Sequence, residues 1–335
     1  MIISPESIIT QILSVQDVAR LEAIESQDKV LFEQFSEFHN IQVVTNDCGK
    51  FLKFDDSYQS GKIDSPLYSG NLPYINYFFL SLLFNSEIKN ILFLGMGASY
   101  VIKDFLQICK AVKNIDIVEI DPLIPHIAKE YFDFEEKKPV KVHIQDARVF
   151  VRNSKQKYDL IICDIFSSEG MPFRFMTAEF FEEIKNILSD KGVFCANVFS
   201  NVEINSPLNI FFKSLYKTCN SVFKNTNIFP TIYGNMQMYR QVLGLKDELT
   251  DLTNTILISQ NNASKLYKTD IEDKVEELQR NVNLSALKDL KNYATDYCDY
   301  KISLDTIKIL RDNFIEDKDF TLETMSKYLL INEDI

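Results

Sequence analysis

The sequence has no tryptophan, only three histidines and only nine glycines among its 335 residues. Its six cysteines are widely separated, and none of them forms a Cys-x-x-Cys pair. The scarcity of histidine and the absence of clustered thiols argue against a structural zinc site, and we expect no metal. Scattered thiols without a disulfide framework predict a reduced, cytoplasmic setting.

An excess of basic residues is also missing, because 36 Lys and Arg stand against 48 Asp and Glu and give a formal net charge of −12. A nucleic-acid partner would favour a basic face, so this balance argues against such a partner. An acidic surface raises the local concentration of cations and is compatible with a cationic substrate. Solubility alone explains the charge equally well.

Long apolar runs are missing as well. No stretch approaches the roughly 18 apolar residues of a membrane-spanning helix, and we expect no membrane partner. The first residues, MIISPESIITQIL, have no basic flank before their apolar part and do not resemble a signal peptide. With 46% hydrophobic residues, the chain can bury a sizeable core and is typical of a globular protein.

Four segments differ in composition and in apolar spacing. Residues 1–40 predict an N-terminal helical segment, since apolar residues recur at helical spacing as far as Phe38. Residues 41–85 predict a small antiparallel β unit and a linking helix over Pro73–Phe84. Residues 86–260 predict a Rossmann-like nucleoside-binding catalytic domain. Residues 261–335 predict a C-terminal helical appendage that includes Asp305–Phe314.

The central segment alternates between apolar strands and helices. Five strands are predicted, at Ile91–Gly95, Ile115–Glu119, Val140–Ile144, Leu160–Asp164 and Gly192–Val198. Helices are predicted between them at Tyr100–Val112, Leu123–Phe132 and Thr177–Leu188. Further candidate strands are Asn227–Tyr233, Tyr239–Leu245 and Thr255–Ser259, the last two as antiparallel candidates. This alternation predicts an α/β fold, with a mostly parallel sheet covered by helices on both faces.

A Gly-x-Gly pair follows the first of these strands at Gly95 and Gly97. Such a pair lets the chain turn tightly and brings backbone N–H groups close to a ligand, although plain turn geometry also explains it. Glu119 ends the second strand, where a carboxylate can accept hydrogen bonds from both hydroxyls of a ribose. The alternative for Glu119 is an acidic residue that meets solvent at the end of a strand.

Two more carboxylates follow the next strands of the predicted sheet. Asp146 can accept a hydrogen bond from an adenine amine while the adjacent backbone N–H, that of Ala147, meets a ring nitrogen. Its alternative role is the N-cap of the next helix. Asp164 follows the buried run LIIC, at the sheet edge where open parallel sheets bind ligands. Catalysis or binding of a substrate amine is predicted for Asp164, with capping of the next loop as the alternative.

Residues 41 to about 259 resemble the spermidine synthase, or polyamine aminopropyltransferase, family. Within them, Ile91 to Asp164 resembles the nucleoside-binding core of class I S-adenosylmethionine-dependent methyltransferases. The matching stretches, in order, are FLKFDDSYQS, ILFLGMG, VEIDP, QDARVF, YDLIICD and MTAEFFEEIKNILSDKGVFCANV. The resemblance implies transfer of an aminopropyl group from decarboxylated S-adenosylmethionine to a small-molecule amine, with release of methylthioadenosine. A homodimer is the candidate assembly of this chain.

The resemblance also implies roles for individual residues. Glu119 would bind the ribose, Asp146 with Ala147 would bind the adenine, and Asp164 would be the acid/base carboxylate beside the attacking amine. Gln59 and Tyr74 would line the pocket.

Several positions depart from the family pattern. Ala98 stands where the family has an aspartate that holds the amine of the donor's tail. The family usually has a second aspartate three residues after the catalytic one, and this sequence has Ser167 there. Ser167 is therefore the candidate at this position for binding the substrate. Tyr74-Ile75-Asn76 replaces the family's Tyr-His-Glu. These departures leave two alternatives open: a methyltransferase that uses S-adenosylmethionine itself, and a nucleoside-binding protein without turnover.

Overall fold

The computed structural model describes residues 27–55, 57–65, 68–166, 170–238, 252–261, 266–281 and 287–314. The predictions for the first 26 residues, for Ser167 and for a strand at Tyr239–Leu245 lie outside these ranges. Within the ranges, no helix is both long enough and apolar enough to cross a membrane.

The N-terminal sheet is antiparallel and follows the order of its strands along the chain. Its strands are β1 (Lys29–Phe35), β2 (Asn40–Asn46), β3 (Gly49–Phe54), β4 (Ser57–Asp64) and β5 (Ser69–Asn71). The antiparallel unit predicted from residue 41 is therefore confirmed. The helix predicted as far as Phe38 is wrong over β1, because β1 pairs with β2 from Lys29↔Thr45 to Phe35↔Asn40.

The linking segment between the sheets is helical, as predicted, but it is mostly a tight 3₁₀ helix. A short helix α1 (Pro73–Asn76) continues into the 3₁₀ turns of Tyr77–Leu83. Proline at the first helical position suits α1, because that N–H would have no partner within the helix. Every residue of Tyr77–Leu83 is buried, so this segment is part of the core on all sides.

The central sheet has seven strands in the order β11-β12-β10-β9-β6-β7-β8. Their bounds are β6 (Asn90–Leu94), β7 (Asn114–Glu119), β8 (Val140–Ile144), β9 (Tyr158–Cys163), β10 (Leu188–Asn201), β11 (Asn225–Pro230) and β12 (Leu252–Gln260). Strands β6 to β10 are parallel, and β12 is antiparallel to both of its neighbours. The strand order reverses at β6 and β9, which is where open α/β sheets bind ligands. The predicted fold class is confirmed.

Helices and two buried clusters cover both faces of this sheet. The helices are α2 (Tyr100–Ile108), α3 (Leu123–Tyr131), α4 (Ala147–Asn153), α5 (Ala178–Ile187), α6 (Ile210–Val222) and α7 (Ile232–Met236). The strand predicted over Asn227–Tyr233 is too long, because it ends at Pro230 and α7 begins two residues later. The Asp296 side chain accepts a hydrogen bond from the Tyr233 N–H at 2.8 Å and so satisfies the first turn of α7.

The C-terminal part begins with helices α8 (Lys268–Asn281) and α9 (Leu290–Ala294). The following residues, 297–314, are mostly irregular and end in the 3₁₀ turn Asp312–Phe314. We call residues 297–314 the C-terminal strap. The helix predicted at Asp305–Phe314 is wrong, because Leu310 is buried and its backbone bonds to Ala178 and to the Thr218 side chain instead of to its own turn.

Candidate active site

A cavity of about 440 Å³ lies at the carboxyl ends of β6, β7 and β9, where the N-terminal sheet meets the central sheet. Most of the predicted site residues lie in its wall: Gly95, Gly97, Glu119, Ala147, Asp164, Gln59 and Tyr74. The cavity wall does not include Asp146, although its neighbour Ala147 is part of it. The sheet edge thus gathers residues that are far apart in the chain.

The turn after β6 requires both of its glycines. Gly95 has a φ of +95°, and a Cβ there would lie 2.3 Å from the carbonyl oxygen of Asp164. Gly97 has a φ of +49°, and a Cβ there would lie 3.1 Å from the Cβ of Ser60 in the N-terminal sheet. Positive φ and close approach both favour glycine, so the pair allows β6, β9 and β4 to meet around one cavity.

Glu119 lies at the end of β7 with its carboxylate turned towards the glycine turn. Its Oε2 accepts a hydrogen bond from the Met96 N–H at 3.1 Å, and its Oε1 accepts from the N–H groups of Ile120 at 2.7 Å and Asp121 at 3.0 Å. Burial raises the pKa of Glu119 in spite of these three donors. A carboxylate has about four acceptor sites, so capacity for a ligand hydroxyl remains on Oε2.

Asp146 has the capping role that the sequence left open. It is the N-cap of α4, and its Oδ1 accepts from the Val149 N–H at 2.9 Å. Its Oδ2 forms an ion pair with Arg174, whose guanidinium stacks 4.7 Å from the Phe175 ring centre. Arg174 itself lines the cavity. A ligand amine would therefore share the Asp146 carboxylate with this arginine.

Asp164 lies just beyond β9, between an amide and a phenol. Its Oδ1 accepts a hydrogen bond from Asn197 Nδ2 at 2.9 Å, and its Oδ2 faces the Tyr74 hydroxyl at 3.4 Å. Burial raises the pKa of Asp164 to about 6, and the two hydrogen bonds lower it only in part. This raised pKa suits Asp164 to taking up a proton near neutral pH.

Tyr74 donates from a position where it stays neutral. Burial raises its pKa well above the usual value, and the nearby charge of Asp164 raises it further. The Tyr74 hydroxyl also lies 3.3 Å from the backbone carbonyl oxygen of Gln59. This contact does not involve the Gln59 side chain. The next polar residue of the segment, Asn76, turns away from the cavity and donates to Tyr68 and Tyr293.

Asn197 is a site residue that the sequence interpretation missed. It lies within β10, is 1% exposed and accepts a hydrogen bond from Asn254 Nδ2 at 3.0 Å while donating to Asp164. The two asparagines form a short relay that fixes one oxygen of the carboxylate. The available signal was a lone amide inside the apolar run FCANVF, since a buried polar side chain needs a partner.

Ala98 follows the glycine turn and is fully buried in the core cluster rather than part of the cavity wall. Asp121, two residues after Glu119, does line the cavity and is 2% exposed. Its Oδ1 accepts a hydrogen bond at 2.9 Å from the N–H of Leu123, the first residue of α3. In the described part of the chain, no group of three His, Cys, Asp or Glu side chains is arranged to hold a metal ion.

The strand order, the reversal at β6 and β9 and the acidic crevice define a Rossmann-like protein of the methyltransferase type. The model of the spermine/spermidine synthase domain matches residues 79–251, which is more than half of the chain. The chain therefore belongs to the spermine/spermidine synthase family.

Curated relatives agree with this assignment. A polyamine aminopropyltransferase of Vibrio vulnificus is 32% identical over 202 residues, which cover 57% of this chain and 66% of the relative, just under two thirds of its length. One from Buchnera aphidicola of Schizaphis graminum is 28% identical over 222 residues, which cover 64% and 75%. Both relatives carry the name of an enzyme.

Solved structures agree in fold. A probable spermidine synthase from Corynebacterium glutamicum has a TM-score of 0.61 at 16% identity, and the match covers 87% of this chain and all of that one. Spermidine synthase from Thermotoga maritima has a TM-score of 0.58 at 17% identity, with 81% and 84% covered. At this identity the likeness concerns the fold alone.

Proposed function

We propose that this chain transfers an aminopropyl group from decarboxylated S-adenosylmethionine to a small amine and releases methylthioadenosine. The observation that carries the proposal is Asp164, a carboxylate with a pKa of about 6 in the wall of the cavity, held by Asn197 and Tyr74. Membership of the family and the names of the relatives support it.

The chemical need for such a group follows from the acceptor. A free primary amine has a pKa near that of lysine, about 10, and is protonated near neutral pH. An ammonium has no lone pair, so it must lose a proton before it can attack. Asp164 would accept that proton on Oδ2, because Asn197 donates to Oδ1 at 2.9 Å whereas the Tyr74 hydroxyl lies farther from Oδ2, at 3.4 Å. The raised pKa of Asp164 makes it a stronger base than an ordinary aspartate.

The transfer step then balances without further reactants. The amine lone pair forms a bond to the carbon beside the donor's sulfonium, and the bond from that carbon to sulfur breaks. The electron pair of the broken bond returns to sulfur, which leaves as the neutral thioether of methylthioadenosine. The chain's part is to align the two reactants in one crevice and to remove the proton.

The nucleoside part of the donor would occupy the end of the cavity formed by Glu119, the glycine turn and Ala147. Glu119 Oε2 has an acceptor site left for a ribose hydroxyl. Ala147 is the first residue of α4, so its N–H has no partner within the helix and can meet a ring nitrogen. Asp146 would share its carboxylate between Arg174 and an adenine amine.

The proposal is tested by incubating the purified protein with decarboxylated S-adenosylmethionine and a panel of mono-, di- and polyamines. We expect methylthioadenosine and one aminopropylated amine to form in equal amounts. The matched variant is Asp164→Asn, which keeps the shape of the side chain and removes the base. Absence of methylthioadenosine with every amine would refute the proposal.

A specific observation also favours S-adenosylmethionine itself as the donor, with methyl transfer as the reaction. Position 98, where the family's aspartate holds the donor's amine, carries a buried alanine that provides no charge. Calorimetric titration with both donors separates the two functions. Tighter binding of the decarboxylated donor supports aminopropyl transfer, and tighter binding of S-adenosylmethionine supports methyl transfer.

A further inference from the structure

Arg148 is a buried arginine, 6% exposed, in the first turn of α4, directly after Ala147. It uses all five of its N–H donors. Two go to Glu183 of α5, at 2.8 and 2.9 Å, and two go to Asp312 of the C-terminal strap, at 2.8 and 2.7 Å. The fifth goes to the backbone carbonyl of Arg174 at 2.9 Å. Bidentate pairs of this kind fix the orientation of both partners.

The guanidinium therefore joins three pieces of the chain at one end of the cavity. Ala147, next to Arg148, is in the cavity wall, and so is Arg174, whose carbonyl Arg148 binds. Arg174 in turn pairs with Asp146. The strap enters this arrangement through Asp312, which lies outside residues 79–251 of the family match.

We propose that Asp312 is a positioning residue for the nucleoside end of the site, and that this is a function of the C-terminal strap. The inference rests on the proposed function, because it assumes that a nucleoside occupies this end of the cavity. Asp312 does not line the cavity and acts through Arg148.

Charge and hydrogen bonding explain how Asp312, which lies outside the cavity wall, affects the nucleoside end of the site. Arg148 and Arg152 face Glu183 and Asp312, so the charges of the group balance. Without Asp312, two N–H donors of a buried cation lose their partners, and leaving such a group unpaired is costly. The guanidinium would then turn towards solvent or towards Glu183 and release the Arg174 carbonyl.

A second contact extends the effect to the neighbouring helix. The Thr177 hydroxyl donates to Asp312 Oδ1 at 2.7 Å, and Thr177 is the N-cap of α5. Helix α5 carries Glu183, the other carboxylate on Arg148. Loss of Asp312 thus loosens both carboxylate contacts that hold α4 in place.

The test compares Asp312→Ala with Arg311→Gln, a control one residue away on the strap. Arg311 pairs with Glu179 at the surface, at 3.4 Å, and both side chains are more than a third exposed. The melting temperature of each protein is measured first, and methylthioadenosine affinity is then measured by calorimetry at one temperature below all of these melting temperatures. We expect about three- to tenfold weaker binding for Asp312→Ala and unchanged binding for Arg311→Gln.

A double-mutant cycle with Arg148→Met separates positioning from general loosening of the strap. Because Asp312 acts through Arg148, adding Asp312→Ala to Arg148→Met should weaken methylthioadenosine binding no further. In the turnover assay, Asp312→Ala should raise the donor KM and leave the acceptor KM unchanged. If the strap had only a structural role, Asp312→Ala would lower the melting temperature and leave both the methylthioadenosine affinity and the donor KM unchanged.

The outcomes of this test are distinct. If the unmodified protein binds methylthioadenosine and Asp312→Ala binds it equally well, the inference is wrong and the proposed function stands. If Arg311→Gln weakens binding as much as Asp312→Ala, the inference is also wrong, because any disturbance of the strap then suffices. If the unmodified protein binds no methylthioadenosine, the proposed function fails and this inference fails with it.

Discussion

Replacement of Asp164 by asparagine should abolish transfer and, at neutral pH, stabilise the fold. The pKa of Asp164 rises from 3.8 to about 6 because burial disfavours its charged form. A tenfold change in an acid dissociation constant corresponds to about 1.4 kcal/mol, so the ionised carboxylate costs the folded state about 3 kcal/mol above pH 6.

The sign follows from proton binding. Between pH 4 and 6 the folded protein holds a proton on Asp164 that the unfolded chain has lost, so stability falls as pH rises through this window. Below pH 4 the carboxyl is neutral in both states and carries no penalty. Asparagine is neutral at every pH. It can accept from Asn197 through its carbonyl and donate to the Tyr74 oxygen, whose O–H can turn to Gln59.

The assay is the melting temperature of both proteins across pH 4 to 8. We expect the melting temperature of the asparagine variant, relative to that of the unmodified protein, to be a few degrees higher at pH 7.5 than at pH 4.5. Asp305→Asn, at an exposed position of the strap, is the control for loss of one negative charge and should show no such trend. A pH-independent difference for Asp164→Asn would refute the claim that the partly buried, ionised Asp164 carboxylate costs the folded state stability.

Three further results are expected. Asn197→Leu removes a donor that lowers the pKa of Asp164, so the acidic limb of the pH–rate profile should move to higher pH; an unmoved limb would show that Asn197 does not tune the base. Tyr74→Phe should move the limb in the same direction by a smaller amount, because its contact with Asp164 is longer, at 3.4 Å. Glu119→Gln should weaken methylthioadenosine binding about ten- to a hundredfold, since hydrogen bonds to charged groups contribute about 1.5–3 kcal/mol. Unchanged affinity would place the ribose elsewhere.

The parallel strands could be predicted from the sequence because β6 and β9 contain continuous apolar runs, and in β7 and β8 single polar residues interrupt a short apolar run. Glu119 and Asp164 follow such runs directly, and both prove to be in the cavity wall. Shared strand direction brings those ends to one edge, so order along the chain is enough to group them.

The errors at both ends have a common physical cause. Strand β1 reads KVLFEQF, is mostly exposed and has no clear alternation of apolar and polar residues. Its conformation is set by hydrogen bonds to β2, which local spacing does not encode. The strap likewise has apolar residues at helical spacing, but Leu310 packs into the core next to α5 and α6 and its backbone bonds outside its own segment.

Hydrogen bonds between distant side chains could not be predicted from the sequence for a related reason. Asn197 meets Asp164 33 residues away, and Arg148 meets Asp312 164 residues away. Neither pair belongs to a motif of adjacent residues, so only the folded chain reveals the partners. The N-cap role of Asp146, by contrast, is local and was readable from the position of the residue before a helix.

The decisive measurement is the amount of methylthioadenosine and aminopropylated amine formed from decarboxylated S-adenosylmethionine by the unmodified protein and by Asp164→Asn, across pH 5 to 9. We predict equimolar products for the unmodified protein, with kcat/KM falling below pH 6, and at least a hundredfold lower rate for the variant from pH 7 to 9, with the difference narrowing towards pH 5. Equal rates for the two proteins, or turnover of S-adenosylmethionine alone, would contradict the proposed role of Asp164 and the proposed reaction.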